Sequence, residues 1–317
     1  MKYVYGPVPS RRLGRSLGVS PIPAKTCNYS CVYCQLGPTG KLCTERQSFF
    51  PKIDILNEIK QSLNLKTIDH ITFVGDGEPT LNADLGWLIS ETKKITKIRV
   101  AVITNGSLFY RKDVRSELSA ADLVMPSLDA PDELTWQRIN RGDKNISYDM
   151  LLEGLMRFRQ KSQSEFWLQV MLVKGVNDSI RQLEELKKKI DLIRPDKVCI
   201  TTAVRPPTES FVEQPDTERI EFARSLLKSS CSYTKREIGE FITEKFKTAE
   251  EAIVSVSGRH PLRLEQAEKI ANKYNDDNSL QTMIENKQLI VQNFDGIDYI
   301  KPKRNNWNIN ENKSNIR

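Results

Sequence analysis

Apolar positions along the chain recur with two alternating periods. Short runs rich in β-branched residues at 16–19, 70–74, 100–104, 123–126, 166–173 and 197–202 predict strands. Between them, apolar residues return at helical spacing over 53–62, where Ile55 and Ile59 share one face, and over 85–93, 148–160 and 179–190. The last of these has its N-cap between Asn177 and Ser179. Strand and helix alternating in this way indicate βα units and a parallel sheet. Six units suit an α/β fold of the partial (β/α)6, TIM-like barrel type, because a closed eight-stranded barrel needs more chain; a doubly wound sheet is the alternative. Ahead of the first strand, Pro7, Pro9, Pro21 and Pro23 exclude a regular helix, so the first forty residues read as an extended stretch, a short strand and a loop.

The rhythm changes beyond residue 202. A helix over 216–228 closes the barrel domain, 1–228. A connecting segment follows over 229–246, helical from 236 to 246. Helices are then expected at 250–257, 263–274 and 278–286, followed by a hairpin of 289–293 and 297–300 with Asp295-Gly296 as its turn. Three helices and a hairpin suggest a small winged-helix-like domain over 247–300, and the Asn- and Lys-rich 301–317 reads as a disordered basic tail.

Charge refines this picture. The chain of 317 residues carries a net +7. Residues 1–40 hold Lys2, Arg11, Arg12, Arg15 and Lys25 and no acid, whereas 247–300 hold six basic and nine acidic residues. A nucleic-acid protein shows a broad basic face, and only two separate basic patches occur here. The acidic C-terminal domain is therefore expected to pack on the barrel or to recognise a protein or peptide. If RNA is the substrate, the basic N-terminal segment and the tail are better suited to phosphate contacts. The run Arg11, Arg12, Arg15 could hold an anionic part of a substrate. No run of eighteen apolar residues occurs and the N-terminus lacks an apolar signal region, so a cytoplasmic protein with no membrane partner is expected.

Three of the six cysteines form Cys27-x₃-Cys31-x₂-Cys34, while Cys43, Cys199 and Cys231 stand apart. Such a cluster reads as metal binding in a reducing compartment and not as a disulfide framework. Thiolates suit iron–sulfur or zinc. Structural zinc takes four protein ligands, and no convincing fourth is near; a four-iron cluster with one open iron needs only three. Polar or glycine-rich segments follow strand after strand, and loops at the C-terminal ends of barrel strands meet at one mouth. The most distinctive is Gly75-Asp76-Gly77-Glu78-Pro79-Thr80, whose glycines permit close backbone approach and whose Glu78 can accept from an ammonium.

The cysteine motif, with Tyr33 just before its last cysteine, resembles the signature of the radical S-adenosylmethionine superfamily, and the Gly75–Thr80 loop resembles its Gly-Gly-Glu segment, with Asp76 replacing one glycine. That resemblance implies an enzyme in which Cys27, Cys31 and Cys34 ligate a [4Fe–4S] cluster. S-adenosylmethionine on the fourth iron would be cleaved reductively to methionine and a 5′-deoxyadenosyl radical, which abstracts hydrogen from a substrate. It further implies that Tyr33 covers the cluster and adenine side, and that Gly75, Asp76, Gly77 and Glu78 hold the methionyl amino group. Asn105, Ser127 and Asp129 would contact methionyl and ribose groups, and Arg141 would meet the cofactor carboxylate or pair with an acid. A low-potential donor such as flavodoxin or ferredoxin would be the redox partner. Tyr5-Gly-Pro-Val-Pro-Ser-Arg-Arg-Leu-Gly14 and Arg205-Pro-Pro207 narrow the likeness to a little-characterised Fe–S oxidoreductase group related to the tRNA wybutosine-forming enzymes. RNA, protein, peptide and small-molecule substrates all stay open, as does a redox-sensing nucleic-acid-binding protein.

Overall fold

The computed structural model describes residues 2–64, 67–231, 241–243, 246–276 and 278–303. The chain divides into two compact units, Met1–Ala203 with Pro207–Glu240, and Val204–Pro206 with Phe241–Arg317.

The larger unit is built on one seven-stranded sheet whose spatial order follows the chain: β1 (Val4–Ser10), β2 (Gly14–Val19), β3 (His70–Phe73), β4 (Arg99–Thr104), β5 (Leu123–Pro126), β6 (Glu165–Leu172) and β7 (Lys197–Thr202). Strands β2 to β7 pair in parallel, which gives the expected six βα units, and the sheet curls into a half-barrel. The helices are α1 (Lys52–Ser62), α2 (Leu85–Ile95), α3 (Lys112–Leu118), α4 (Glu133–Ile139), α5 (Tyr148–Lys161), α6 (Ile180–Ile193) and α7 (Thr217–Leu226). Strand β1 is a correction to the sequence reading, for residues 4–10 are not merely extended but pair antiparallel with β2. An edge strand tolerates Pro7 and Pro9, since its outer side needs no N–H donors.

Alternation along β6 shows which face is which. Phe166 stacks on Phe158 of α5, outside the sheet. Its neighbour Trp167 joins Leu13, Ala101, Leu123, Met125 and Cys199 in an apolar cluster on the inner side. Helix α6 shows the local logic of the outer layer. Ser179 and Gln182 form a capping box, and Leu183, Leu186, Ile190 and Ile193 make one buried stripe.

Two expectations about cysteines and tail need correction. Cys199 and Cys231 form a disulfide, with Cα atoms 5.0 Å apart. Separation by 32 residues concealed their meeting, which arises because Ser229 and Ser230 return to the Val198 carbonyl beside β7. Strand pairing also runs through Lys301 and Pro302, so the structured part extends past residue 300.

The smaller unit contains α8 (Ala249–Arg259), β8 (Leu262–Arg263), α9 (Leu264–Lys273), α10 (Ser279–Glu285), β9 (Leu289–Phe294) and β10 (Ile297–Pro302), with a three-stranded sheet in the order β8-β10-β9. Ile253, Val256, Ile270, Leu280, Met283 and Ile300 are buried in it. The helix expected over 236–246 falls largely outside the described residues, and so does the tail expected to be disordered over 301–317, from residue 304 onward.

Candidate functional site

The cysteine loop leaves the C-terminal end of β2 and is held by backbone bonds on both sides. Val32 N–H donates to Ile139 O at 2.9 Å and Ser30 N–H to Asn140 O at 3.1 Å, while Tyr29 bridges Gly142. On the other side Lys25 N–H donates to Asp76 O at 2.6 Å and Glu78 N–H to Thr26 O at 2.9 Å. Gly77 is obligatory here, because a Cβ on it would fall 1.9 Å from the Thr26 carbonyl oxygen. At Gly75 an added Cβ would crowd the side chain of Ile22 at 2.6 Å and come no nearer to backbone than 3.4 Å, at Gly77 N. Asp76 is tied to the same loop, its N–H donating to Ser20 Oγ at 3.1 Å.

Cys27, Cys31 and Cys34 are all free thiols, and each has an N–H group on its sulfur. The donors are Tyr29 N–H and Asn105 Nδ2 to Cys27 at 3.4 and 3.8 Å, Asn140 Nδ2 to Cys31 at 3.6 Å, and Lys25 Nζ to Cys34 at 3.5 Å. Burial pushes the Cys27 thiol up to about 12, with the Glu78 charge adding to it. Burial also raises Cys31, and the neighbouring Cys27 adds to it. Groups poised in this way exchange protons for metal.

Among the described residues no group of three or more His, Cys, Asp and Glu side chains closes round a single metal ion. Cys43 is also a free thiol, and its sulfur donates to Glu45 O at 3.5 Å. Three soft ligands with amide donors to sulfur fit a cluster that leaves one iron open.

Glu78, only 1% exposed, is the hub of the second loop. Its Oε1 accepts from Thr80 N–H at 3.0 Å, Thr80 Oγ1 at 2.6 Å and Thr104 Oγ1 at 2.6 Å. Its Oε2 accepts from Asn105 N–H at 2.7 Å, which leaves that oxygen a lone pair for one further donor. Burial raises the Glu78 carboxyl, and these four bonds work against the rise. Asn105 also donates through Nδ2 to Asn28 Oδ1 at 2.7 Å, and Gly106 turns the chain with φ at 80°.

Asp129, 2% exposed, is internally satisfied. It accepts from Met171 N–H at 2.8 Å on Oδ1, and from Tyr33 Oη at 2.5 Å and Asn140 Nδ2 at 2.7 Å on Oδ2. It is a buried anchor for Tyr33, with its carboxyl raised by burial against those three bonds. Ser127 stands just beyond β5, its N–H on Thr104 O at 3.1 Å. Of the two roles open to Arg141, the structure shows the acid pairing, with Nη1 2.5 Å from Glu209 Oε1. Asn177 is held by backbone on three sides, its Nδ2 donating to Asp129 O and Met171 O and its Oδ1 accepting from Val173 N–H. Sequence reasoning missed Asn28, an unspecified position inside the cysteine motif, and Asn140, for which the one signal is its place beside Arg141.

Comparison with known proteins agrees with this architecture. A family profile described as the Radical SAM superfamily matches residues 22–190, and the chain belongs to that superfamily, whose members are enzymes using a [4Fe–4S] cluster and S-adenosylmethionine. More narrowly, a UPF0026 protein of Methanocaldococcus jannaschii is 36% identical over 313 residues, covering 95% of this chain and 96% of that one. A protein named GTPase Obg from Brachyspira hyodysenteriae is 41% identical over 285 residues, 88% of this chain; the chain spans only 41% of that relative's length. In fold, the chain is similar to a radical SAM methyltransferase from Sphaerobacter thermophilus, with a TM-score of 0.51 at 18% identity over 67% of this chain and 63% of that one. No helix among the described residues is long and apolar enough to cross a membrane.

Proposed function

We propose that Cys27, Cys31 and Cys34 hold the cluster, that the loop containing Gly75, Asp76, Gly77 and Glu78 receives the methionyl end of S-adenosylmethionine, and that the enzyme abstracts hydrogen from a substrate inside the half-barrel. The observation that carries this reading is Asn105, one residue that donates to Glu78 through its backbone and reaches the Cys27 sulfur through its side chain. Three loops from three strands therefore converge on the thiols. When bound, the cluster supplies the electron that cleaves S-adenosylmethionine to methionine and the 5′-deoxyadenosyl radical. The protein's share is orientation and exclusion of water. Glu78 Oε2 offers its remaining lone pair to an ammonium, and Asp129 fixes the Tyr33 ring over the loop. Ser127 and Asn105, at the ends of neighbouring strands, face the same mouth. Enzymes of this superfamily need a reductant, and a flavodoxin or ferredoxin in the cytoplasm is the donor proposed here.

The C-terminal unit is proposed as a winged-helix-like domain that recognises a protein or peptide. On α10, Gln281, the side chain best placed to read a base, donates instead to Glu285 at 2.8 Å, and Arg263 is paired with Glu265 at 2.7 Å. The first pairing occupies the Gln281 amide, and the second offsets the charge of Arg263, which phosphate contacts would need.

The test is turnover. Reconstituted and reduced wild-type protein should convert S-adenosylmethionine to methionine and 5′-deoxyadenosine, and Cys31→Ala should not. Equal product from the variant would contradict the assignment.

A further inference from the structure

The β1–β2 hairpin carries three arginines, and the structure sends two of them to different places. Arg15 lies outside, its N–H on Asp69 Oδ2 at 2.7 Å and its guanidinium 3.9 Å from the same carboxylate. Arg12 turns inward. The tight turn that aims it is pinned by Ser10 Oγ, which accepts from the N–H groups of Arg12 and Leu13 at 3.4 and 3.2 Å. Its Nη1 donates to Gln169 Oε1. Gln169 is two residues beyond Trp167 on β6 and so shares the inner face of the sheet with the Leu13–Trp167–Cys199 cluster. The amide is itself oriented, because Nε2 donates to Met125 O at 3.0 Å and leaves the oxygen for Arg12.

No carboxylate among the described residues pairs with Arg12. Arg12 is half-buried, and desolvation of its guanidinium together with the nearby Arg11 brings its pKa down to about 9. A guanidinium offers five N–H donors, and a neutral amide oxygen takes up only part of them. Desolvating a cation without an anion is costly, and a purely structural plug at this point would be better made from an apolar side chain. The location is also informative. Met171, next after Gln169 on the same inner face and about 7 Å further along the strand, donates its N–H to Asp129, the residue that holds Tyr33. The guanidinium thus lies one side-chain layer beneath the mouth.

We infer that Arg12, positioned by Gln169, is the anchor for an oxyanion of the substrate, a carboxylate or a phosphate, bound inside the half-barrel beneath the layer of Asp129 and Met171. This rests on the proposed cofactor site only for the direction from which hydrogen is taken. The planar fork binds such groups in a bidentate manner, which a lysine cannot reproduce.

The experiment titrates reconstituted full-length protein with inorganic phosphate, and separately with malonate, at constant ionic strength, following Tm. At least one anion should raise Tm saturably in wild type and equally in Arg15→Gln. Arg12→Lys should weaken the response at least tenfold, and Arg12→Gln should lose it. Gln169→Glu supplies an internal partner, so it should raise Tm without ligand and no longer respond to the anion. Because that variant does not remove Arg12, it keeps the test decisive if Arg12→Gln fails to fold. A response to phosphate alone points to a phosphate ester, and to malonate alone to a carboxylate. Absence of any saturable response in wild type, or an undiminished response in Arg12→Lys and Gln169→Glu, overturns the proposal. Iron content and S-adenosylmethionine binding, measured on the same samples, report separately on the cofactor site.

Discussion

Gly77 and Thr26 are in backbone contact: a Cβ on Gly77 would lie 1.9 Å from the Thr26 carbonyl oxygen, the same oxygen that accepts the Glu78 N–H at 2.9 Å. The contact joins the loop after β3 to the residue preceding Cys27. Gly77→Ala should therefore separate the two loops, costing about 1–3 kcal/mol and lowering the iron retained per chain after reconstitution. Gly75→Ala should be milder, since only the Ile22 side chain must move. Equal iron content in Gly77→Ala and wild type would contradict this coupling.

Glu78 organises its loop through four bonds, and Oε2, with one donor upon it, keeps a lone pair for the proposed ammonium. Glu78→Gln replaces an acceptor with a donor among four existing donors and removes the negative charge. It should weaken S-adenosylmethionine binding by roughly 10- to 150-fold, the equivalent of about 1.5–3 kcal/mol for a charge-assisted bond, and should also lower Tm. Equilibrium dialysis with the holoenzyme measures the first effect, and an unchanged Kd would place Glu78 outside the cofactor site.

The raised Cys27 thiol sets a pH dependence in metal-free protein. A thiol held at about 12, above its ordinary value, stays protonated at neutral and mildly alkaline pH, and only the thiolate is alkylated. Iodoacetamide labelling of Cys27, followed by peptide mass spectrometry, should keep accelerating as pH rises past 10. A plateau near pH 9 would show an ordinary thiol.

Asp129 is a structural anchor with three donors upon it. Asp129→Ala leaves Met171 N–H, Tyr33 Oη and Asn140 Nδ2 without their acceptor, and should cost about 3 kcal/mol or more in urea unfolding. Tyr33→Phe removes a single donor and should cost about 1 kcal/mol. Equal stability of the two variants would remove Asp129 from this role.

Much of this architecture was legible because its signals are local. Six apolar runs separated by amphipathic helices gave the six parallel strands, and the spacing of Cys27, Cys31 and Cys34 marked the loop where the site forms. What escaped depends on partners distant in sequence. Strand β1 was hidden by Pro7 and Pro9, since an edge position is defined by a neighbour and not by its own composition. Helices α3 and α4 have seven residues each, too short to show a period. Asn28 and Asn140 gain their meaning from Ser107, Cys31 and Asp129, brought to them by other strands. The meeting of Cys199 and Cys231 likewise depends on the chain folding back after α7. For the arginine run the sequence suggested one anionic function, but the fold separates Arg15, facing Asp69, from Arg12, facing Gln169.

The central claim is that three cysteines and no fourth hold one open-iron cluster. Its most direct measurement is iron and sulfide analysis of anaerobically reconstituted protein, combined with electron paramagnetic resonance of the reduced state before and after adding S-adenosylmethionine. Wild type and Cys43→Ala should each bind about four irons per chain and give a cluster signal that S-adenosylmethionine alters, whereas Cys27→Ala, Cys31→Ala and Cys34→Ala should each lose that signal. A normal, S-adenosylmethionine-responsive cluster in any of those three variants, or its loss in Cys43→Ala, would contradict the account.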